Sequence, residues 1–106
     1  KRWIFVGGTA TSIAAMLQKL DVYDASRVQG FVLKPEEVSD LLKQLFSMSY
    51  EERCHIPGLR PERADIIVAG VAILDALMEY FAIPEATVSD RDLQEGLLDA
   101  DLVKPE

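Results

Sequence analysis

The spacing of hydrophobic residues near the start of the chain predicts a strand that runs directly into a helix. Residues 3–6, from Trp3 to Val6, form a short run that favours β-structure. Beyond a short turn, apolar residues recur with the i, i+3, i+4, i+7 spacing of one helical face, at Ile13, Met16, Leu17 and Leu20. The segment Gly7-Gly8-Thr9 lies between the two patterns. We therefore predict a strand, a tight turn and a helix, with no linker.

Two further helices are predicted between residues 35 and 54. Pro35 and the two glutamates after it suit the first turn of a helix, where acidic groups meet the positive end. The predicted buried face of this helix comprises Val38, Leu41, Leu42, Leu45 and Phe46. Ser49 and Glu52 have the spacing of a capping box, which predicts a short helix from Tyr50 to Cys54.

The most apolar segment, residues 64–81, fits either a buried parallel strand at 65–70 or one central helix. We favour the helix, because Pro61 and Glu62 mark a start and no turn signal follows Gly70. On a helix, small side chains share one narrow face, at Asp65, Ala69, Ala72 and Ala76. Long apolar side chains surround that face, which predicts burial on most sides.

Shorter elements complete the expected order. Residues 28–33 form a second strand candidate, weakened by Gly30, and residues 86–89 form a third. A final helix is expected from Arg91 to about Ala100, capped by Ser89 or Asp90, and the tail from Lys104 is expected to fray.

Composition narrows the class of protein. At 106 residues and 49% hydrophobic, the chain suits one small domain with a real core. A net charge of −7 argues against a nucleic-acid-binding surface, and no apolar run is long enough to span a bilayer. A single cysteine, Cys54, excludes an internal disulfide and fits a reducing compartment, so we expect a cytoplasmic protein. Because the chain begins with Lys1 and a strand, we expect a fragment.

The turn at Gly7-Gly8-Thr9 is the strongest candidate site. Free N–H groups at a helix N-terminus can hold a phosphate, and glycines let a ligand approach the backbone. We expect Thr9, Thr11 and Ser12 to supply cap oxygens or hydroxyl donors. The turn matches neither the Rossmann nor the Walker fingerprint. On spacing alone, a tight turn without a ligand is favoured over a phosphate site.

Three other groups of residues are weaker candidates for a catalytic, metal-binding or anion-binding role. Neither a nucleophile pair nor a zinc site is expected of the adjacent Cys54 and His55. The carboxylates of Asp75 and Glu79 are expected to form a solvent-facing strip. An arginine cluster could contact an anion, but ion pairs with Glu51, Glu52 and Glu62 are favoured; the cluster comprises Arg53, Arg60 and Arg63.

Four motifs extend over nearly the whole chain. They are Val6-Gly7-Gly8-Thr9-Ala10-Thr11; Glu52-Arg53 with Ile56-Pro57-Gly58-Leu59; Pro61-Glu62-Arg63-Ala64-Asp65-Ile66-Ile67 with Ala69-Gly70; and Val88-Ser89-Asp90 leading to Glu95-Gly96-Leu97-Leu98. Each motif alone is weak, but the four in this order are specific. The chain resembles the exopolyphosphatase and guanosine pentaphosphate phosphatase family, Ppx/GppA.

The resemblance implies an α/β fold, a ribonuclease H-like (actin-like ATPase) half-domain with few short strands packed by several helices. It implies that residues 1–106 form a single domain, the C-terminal part of the second of two such domains. In that family a cleft between the domains holds phosphates on glycine-rich loops. A divalent cation such as Mg²⁺ assists, and a glutamate of the first domain activates a water that releases the terminal phosphate.

By residue match, the resemblance assigns phosphate binding to Gly7, Gly8 and Thr9, and it assigns no catalytic residue or metal ligand to this chain. The isolated chain is therefore expected to be inactive. The expected partners are polyphosphate or a phosphate-rich nucleotide and the N-terminal domain of the same protein. Neither nucleic acid nor a membrane is expected as a partner, and a homodimer is possible.

One motif departs from the family, and other functions stay open. The family's last motif reads glycine-leucine-arginine-glutamate-glycine, whereas this chain has Asp92-Leu93-Gln94-Glu95-Gly96. This change suits a non-catalytic domain that senses phosphate or nucleotides. A structural interaction domain, with Ala69, Ala72 and Ala76 against a partner helix, is the third hypothesis. Polyphosphate and guanosine pentaphosphate both remain as substrates.

Overall fold

A mixed four-stranded sheet carries the helices of this chain in the computed structural model, which describes residues 3–90 and the backbone of residues 103–105. The strands are β1 (Trp3–Val6), β2 (Val32–Leu33), β3 (Ala86–Ser89) and β4 (Val103–Pro105). Their order across the sheet is β2-β3-β1-β4. The helices are α1 (Gly8–Leu17), α2 (Ala25–Val28), α3 (Pro35–Phe46), α4 (Tyr50–Arg53) and α5 (Ile67–Tyr80), with a 3₁₀ turn at Pro61–Arg63.

The central strands β1 and β3 are parallel, and this pairing positions the candidate site. Val6 lies opposite Ser89, so Gly7 and Asp90 follow their strands at the same edge of the sheet. The outer strands are antiparallel to their neighbours, β2 to β3 and β4 to β1. In sheets with parallel strands, ligands bind outside the carboxyl ends of those strands.

The core lies between the sheet and helices α1, α3 and α5. Phe5 and Val88 contribute from the two central strands, and α5 packs mainly against α3. The remaining large side chains that are almost fully buried are Ile13, Val28, Leu33, Val38, Leu45, Val71, Leu74, Met78 and Ile83. Because this core includes residues from most of the described elements, it holds the β1–α1 turn in a defined position.

Several predicted elements are confirmed. The strand, turn and helix at the start of the chain form as expected. The capping box is present, since Glu52 N–H donates to Ser49 Oγ at 3.1 Å and Ser49 N–H donates to Glu52 Oε1 at 2.8 Å. The apolar segment is a helix and not a strand, although α5 begins at Ile67, after the 3₁₀ turn.

The predicted burial of α5 is wrong. Its buried residues are Ile67, Val71, Leu74 and Met78, whereas Ile66 and Ile73 are each 55% exposed. The helix lies at the surface with one face on the core. The sequence could not show which face packs, because apolar residues occur on most sides of this helix, and such a pattern predicts burial on most sides. Phe46, predicted to be buried on α3, is also exposed.

Two other predictions needed correction. The second strand covers only Val32–Leu33, because Val28 ends α2 and Gly30 has a φ of 84°. The tail does not fray throughout, since the backbone of Val103–Pro105 pairs with β1. The predicted final helix and the Asp92-Leu93-Gln94-Glu95-Gly96 motif lie outside the described residues.

Candidate functional site

The turn between β1 and α1 presents backbone N–H groups at a helix N-terminus. Gly7 is the N-cap residue, with φ 105° and ψ 173°, a conformation open in practice only to glycine. No side chain caps the helix, so of the two roles predicted for Thr9, Thr11 and Ser12, cap oxygen or hydroxyl donor, the first is wrong. Thr11 Oγ1 instead donates to the Gly8 carbonyl at 3.1 Å. An uncapped N-terminus attracts anions through the helix dipole.

The guanidinium group of Arg63 covers this turn. A Cβ atom added to Gly8 would lie 2.6 Å from both Nη1 and Nη2 of Arg63, so the guanidinium occupies the space that a side chain would need. A side chain at residue 8 would therefore require the flexible Arg63 side chain to move away from the turn. The Arg63 guanidinium also adds a planar cation with several donors to the N-terminus of α1, and guanidinium geometry matches a phosphate.

The predicted ion pairs of the arginine cluster do not form. Within residues 3–90, the ion pair with a nitrogen–oxygen distance below 4.0 Å is between Arg27 Nε and Asp24 Oδ2, at 3.6 Å. Arg53 donates to the carbonyls of Leu45 at 3.1 Å and Met48 at 3.0 Å, and so satisfies backbone groups at the end of α3. The three arginines therefore have separate roles, and the guanidinium groups of Arg60 and Arg63 are not neutralised by a carboxylate of the described chain.

Thr9 has a packing role that its sequence position does not reveal. A Cβ atom added to Gly70 on α5 would lie 2.8 Å from Thr9 Oγ1 and 2.9 Å from Thr9 Cγ2. The Thr9 side chain therefore lies against the α5 backbone, which locks the start of α1 onto α5. Of the three residues predicted to bind phosphate, Thr9 therefore uses its side chain in packing, which leaves only its backbone N–H for the predicted role.

A cavity of about 380 Å³ opens beside the turn. Thr11 and Ser12, in the first turns of α1, form part of its wall, and Arg63 connects it to Gly8. The other charged or polar side chains of the wall are Arg60, Asp21, Tyr23 and Asp90. The sequence predicted Asp90 only as a helix cap within the fourth motif and gave Tyr23 no role, because the two residues lie 67 positions apart.

A hydrogen bond joins Tyr23 to Asp90 at the cavity wall. The Tyr23 hydroxyl donates to Asp90 Oδ1 at 2.7 Å, and the Asp90 N–H donates to Gln29 Oε1 at 2.7 Å. Burial raises the pKa of Tyr23 to about 12, and the carboxylate of Asp90 acts in the same direction. The Thr11 hydroxyl and the charge of Arg60 act against this shift, which places both groups near the Tyr23 hydroxyl.

The segment that carries Arg60 and Arg63 is held against α1 at Gly58. This glycine has a φ of 90°, and a Cβ atom there would lie 2.6 Å from the carbonyl carbon and oxygen of Ala15. Only a residue without a side chain fits such a close approach to a helix backbone. Leu59, which follows, is buried and anchors the segment in the core.

The remaining candidates do not assemble into a catalytic site. Cys54 ends α4 half-buried, and a hydrogen bond with it raises the pKa of the Tyr50 hydroxyl, whereas His55 is exposed. On α5, Asp75 is half-buried and Glu79 is exposed. Within residues 3–90, no three or more histidine, cysteine, aspartate or glutamate side chains are placed to hold a metal ion. None of the helices described here has the length and hydrophobicity needed to cross a bilayer.

Comparison with known protein families identifies the family and the fold of the chain. The model of the Ppx/GppA phosphatase family matches residues 2–104. The chain belongs to this family. Its α/β fold is the actin-like fold of Ppx/GppA proteins. Members of the Ppx/GppA family are phosphohydrolases that generally depend on a divalent cation.

Individual Ppx/GppA proteins resemble the chain along most of its length. "Exopolyphosphatase 2" of Mycobacterium tuberculosis is 26% identical over 101 residues, which are 92% of this chain and 32% of that protein. A "Putative exopolyphosphatase" of Haemophilus influenzae is 33% identical over 96 residues, 91% of this chain and 29% of that protein. The crystal structure of the Aquifex aeolicus Ppx/GppA family member superimposes with a TM-score of 0.82 and 31% identity, over 90% of this chain and 31% of that one. The chain thus spans about a third of the length of these relatives.

Proposed function

We propose that this chain forms one wall of the phosphate-binding cleft of an exopolyphosphatase-like phosphohydrolase. The enzyme would remove the terminal phosphate from inorganic polyphosphate or guanosine pentaphosphate. The observation that carries the proposal is the contact of the Arg63 guanidinium with Gly8 at the N-terminus of α1. In this proposal a phosphate group accepts hydrogen bonds from the N–H groups of Gly7, Gly8 and Thr9 and from Arg63.

The physical logic of phosphoryl transfer supports this assignment. Such transfer needs positioning and charge stabilisation more than covalent chemistry. A helix N-terminus alone contributes about 0.3–1 kcal/mol to anion binding when exposed, and up to about 2 kcal/mol when partly buried. One turn is therefore too weak to be a site. A guanidinium group beside the same N–H groups provides the second set of donors that a useful phosphate site requires.

The rest of the catalytic machinery belongs to other parts of the proposed protein. We infer that residues 1–106 are the C-terminal part of the second actin-like domain of a two-domain cytoplasmic enzyme. The partial coverage of the relatives supports this inference. No cluster of three or more metal-ligating side chains forms within residues 3–90, so a divalent cation would be held jointly by the phosphate groups of the substrate and by residues of the whole protein. The glutamate that activates water would come from the first domain. The isolated chain would then lack activity.

The test compares phosphate release from polyphosphate, and orthophosphate binding, between the full-length protein and two variants. Arg63→Ala removes the cation, and Gly8→Ala displaces it, since the new Cβ atom needs the space of the guanidinium. We expect Arg63→Ala to weaken phosphate binding about 10-fold to 100-fold, the usual effect of losing a hydrogen bond to a charged group. Gly8→Ala should weaken it less, because the flexible Arg63 side chain can shift and keep part of its contact with phosphate. Arg27→Ala, which removes an exposed arginine, is the matched control. Full activity in both variants, with unchanged phosphate affinity, would remove this turn from the site.

A further inference from the structure

The walls of the cavity beside Arg63 carry opposite charges. Arg60 and Arg63 come from the segment that follows Gly58, whereas Asp21 and Asp90 come from two other parts of the chain. No arginine of this cavity lies within 4.0 Å of either carboxylate in the described part of the chain. The positive and negative groups therefore face one cavity without neutralising each other by direct contact.

Asp90 lies close to the phosphate-binding turn. It follows Ser89 on β3, as Gly7 follows Val6 on β1, and these two strands are parallel neighbours in register. Neighbouring strands lie about 4.8 Å apart. The backbone of Asp90 therefore starts about one strand spacing from the N–H groups of the turn, on the side where the cavity opens.

Two hydrogen bonds hold Asp90 in this position. Its carboxylate accepts from the Tyr23 hydroxyl at 2.7 Å, and its N–H donates to Gln29 Oε1 at 2.7 Å. A carboxylate held in this way cannot easily turn away from an approaching anion. The cavity volume of about 380 Å³ leaves ample room for a further phosphate group, so any barrier at this point comes from charge and not from size.

We propose that Asp90, positioned by Tyr23, is a specificity-determining residue that excludes a second phosphate group from the cavity beside Arg63. The inference rests on the proposed function, in which Gly8 and Arg63 bind one phosphate group. With Arg63 bound to the first phosphate group, the next group of the same chain would meet two carboxylates, Asp90 and Asp21, against the single cation of Arg60 if it turned into the cavity. A polyphosphate chain bound at Gly8 would therefore extend away from the cavity, on the open side of the turn.

The experiment compares two phosphate ligands of different length on the full-length protein. Isothermal titration calorimetry gives the affinities of orthophosphate and tripolyphosphate for the wild type, Asp90→Asn and Asp40→Asn. Asparagine still accepts the hydrogen bond from Tyr23, so the fold is kept and only the charge is lost. Asp40 is an exposed aspartate on α3, and its variant is matched in net charge.

We expect Asp90→Asn to strengthen tripolyphosphate binding about fivefold relative to orthophosphate, the effect of one unit charge a few ångströms away in a water-like medium. Asp40→Asn should leave this ratio unchanged. Tyr23→Phe keeps the aspartate charge but releases the carboxylate, and we expect it to change the ratio in the same direction by a smaller amount. If Tyr23 serves stability alone, Tyr23→Phe will lower the melting temperature and leave the ratio of tripolyphosphate to orthophosphate affinity unchanged.

The outcomes separate the two proposals. If Arg63→Ala weakens orthophosphate binding but Asp90→Asn leaves the ratio at the wild-type value, the exclusion by Asp90 is refuted and the phosphate site stands. An equal gain for both ligands in Asp90→Asn also refutes the exclusion, because it reports only the change in net charge. If Arg63→Ala binds orthophosphate normally, the phosphate site itself is refuted, and the inference with it.

Discussion

Replacing Gly58 by alanine should destabilise the protein far more than the same change at Gly30. Both glycines have positive φ angles, 90° at Gly58 and 84° at Gly30. A Cβ atom at Gly30 would meet no atom within 4 Å, whereas at Gly58 it would lie 2.6 Å from the backbone of Ala15. The two variants thus share the backbone strain, and only one adds a steric clash.

The expected magnitudes follow from these two costs. A non-glycine residue in the left-handed region costs about 1–2 kcal/mol, which is the whole effect expected for Gly30→Ala. At Gly58 the clash is with main-chain atoms of a helix, which cannot rotate away, so the segment must move off α1. Overpacking of this kind typically costs about 1–3 kcal/mol. We therefore expect a total of about 2–5 kcal/mol for Gly58→Ala.

Urea denaturation of the wild type and the two variants measures the difference. A displaced segment also moves Arg60 and Arg63, so Gly58→Ala should lose phosphate affinity, while Gly30→Ala should keep it. Equal losses in the free energy of unfolding would refute the reasoning, because the steric clash at Gly58 would then add no cost to that of the positive φ angle. Full phosphate affinity in a destabilised Gly58→Ala protein would contradict the link between this segment and the site.

Two further predictions concern stability. Arg53→Met should lower the free energy of unfolding by about 1–2 kcal/mol, because two carbonyls at the end of α3 lose a charged donor. The control Arg27→Met should lower it by less than about 0.5 kcal/mol, since the ion pair of Arg27 is exposed. Equal urea midpoints for the two variants would contradict this prediction. Tyr23 has its pKa raised to about 12, so between pH 10 and 12 the unfolded state loses a proton that the folded state keeps, and stability falls as the pH rises. Tyr23→Phe should flatten that part of the pH profile in thermal melts, and an unchanged slope would show that Tyr23 is not its source.

Two departures from the predicted structure, at Arg63 and Thr9, involve contacts between distant parts of the chain. Arg63 was expected to pair with neighbouring glutamates, but its guanidinium lies on Gly8, which the fold brings next to it. Thr9 was expected to bind phosphate through its side chain as well, but that side chain packs on Gly70 of α5. In both cases the residue was predicted to be important, and its partner could not be known from neighbouring positions.

Local patterns were sufficient for the elements that depend on neighbouring residues. The strand, the glycine turn and α1 follow from a change of hydrophobic period, and the capping box follows from the spacing of Ser49 and Glu52. The hydrogen bonds of the α4 capping box join residues three positions apart, so the spacing in the sequence was enough to predict them. The cap of α1 was not predicted in this way, because no side chain caps that helix. The order of motifs along the chain was likewise enough to indicate the Ppx/GppA family.

Only the tertiary structure decided which side chains meet at the site and which face of α5 is buried. The Tyr23–Asp90 hydrogen bond spans 67 positions, and the cavity combines residues from the start, middle and end of the described chain. Ile73 is exposed although Leu74, the next residue on α5, is fully buried in the core. Packing of the whole core selects one orientation for each helix, and that selection depends on contacts between elements, which no local pattern contains.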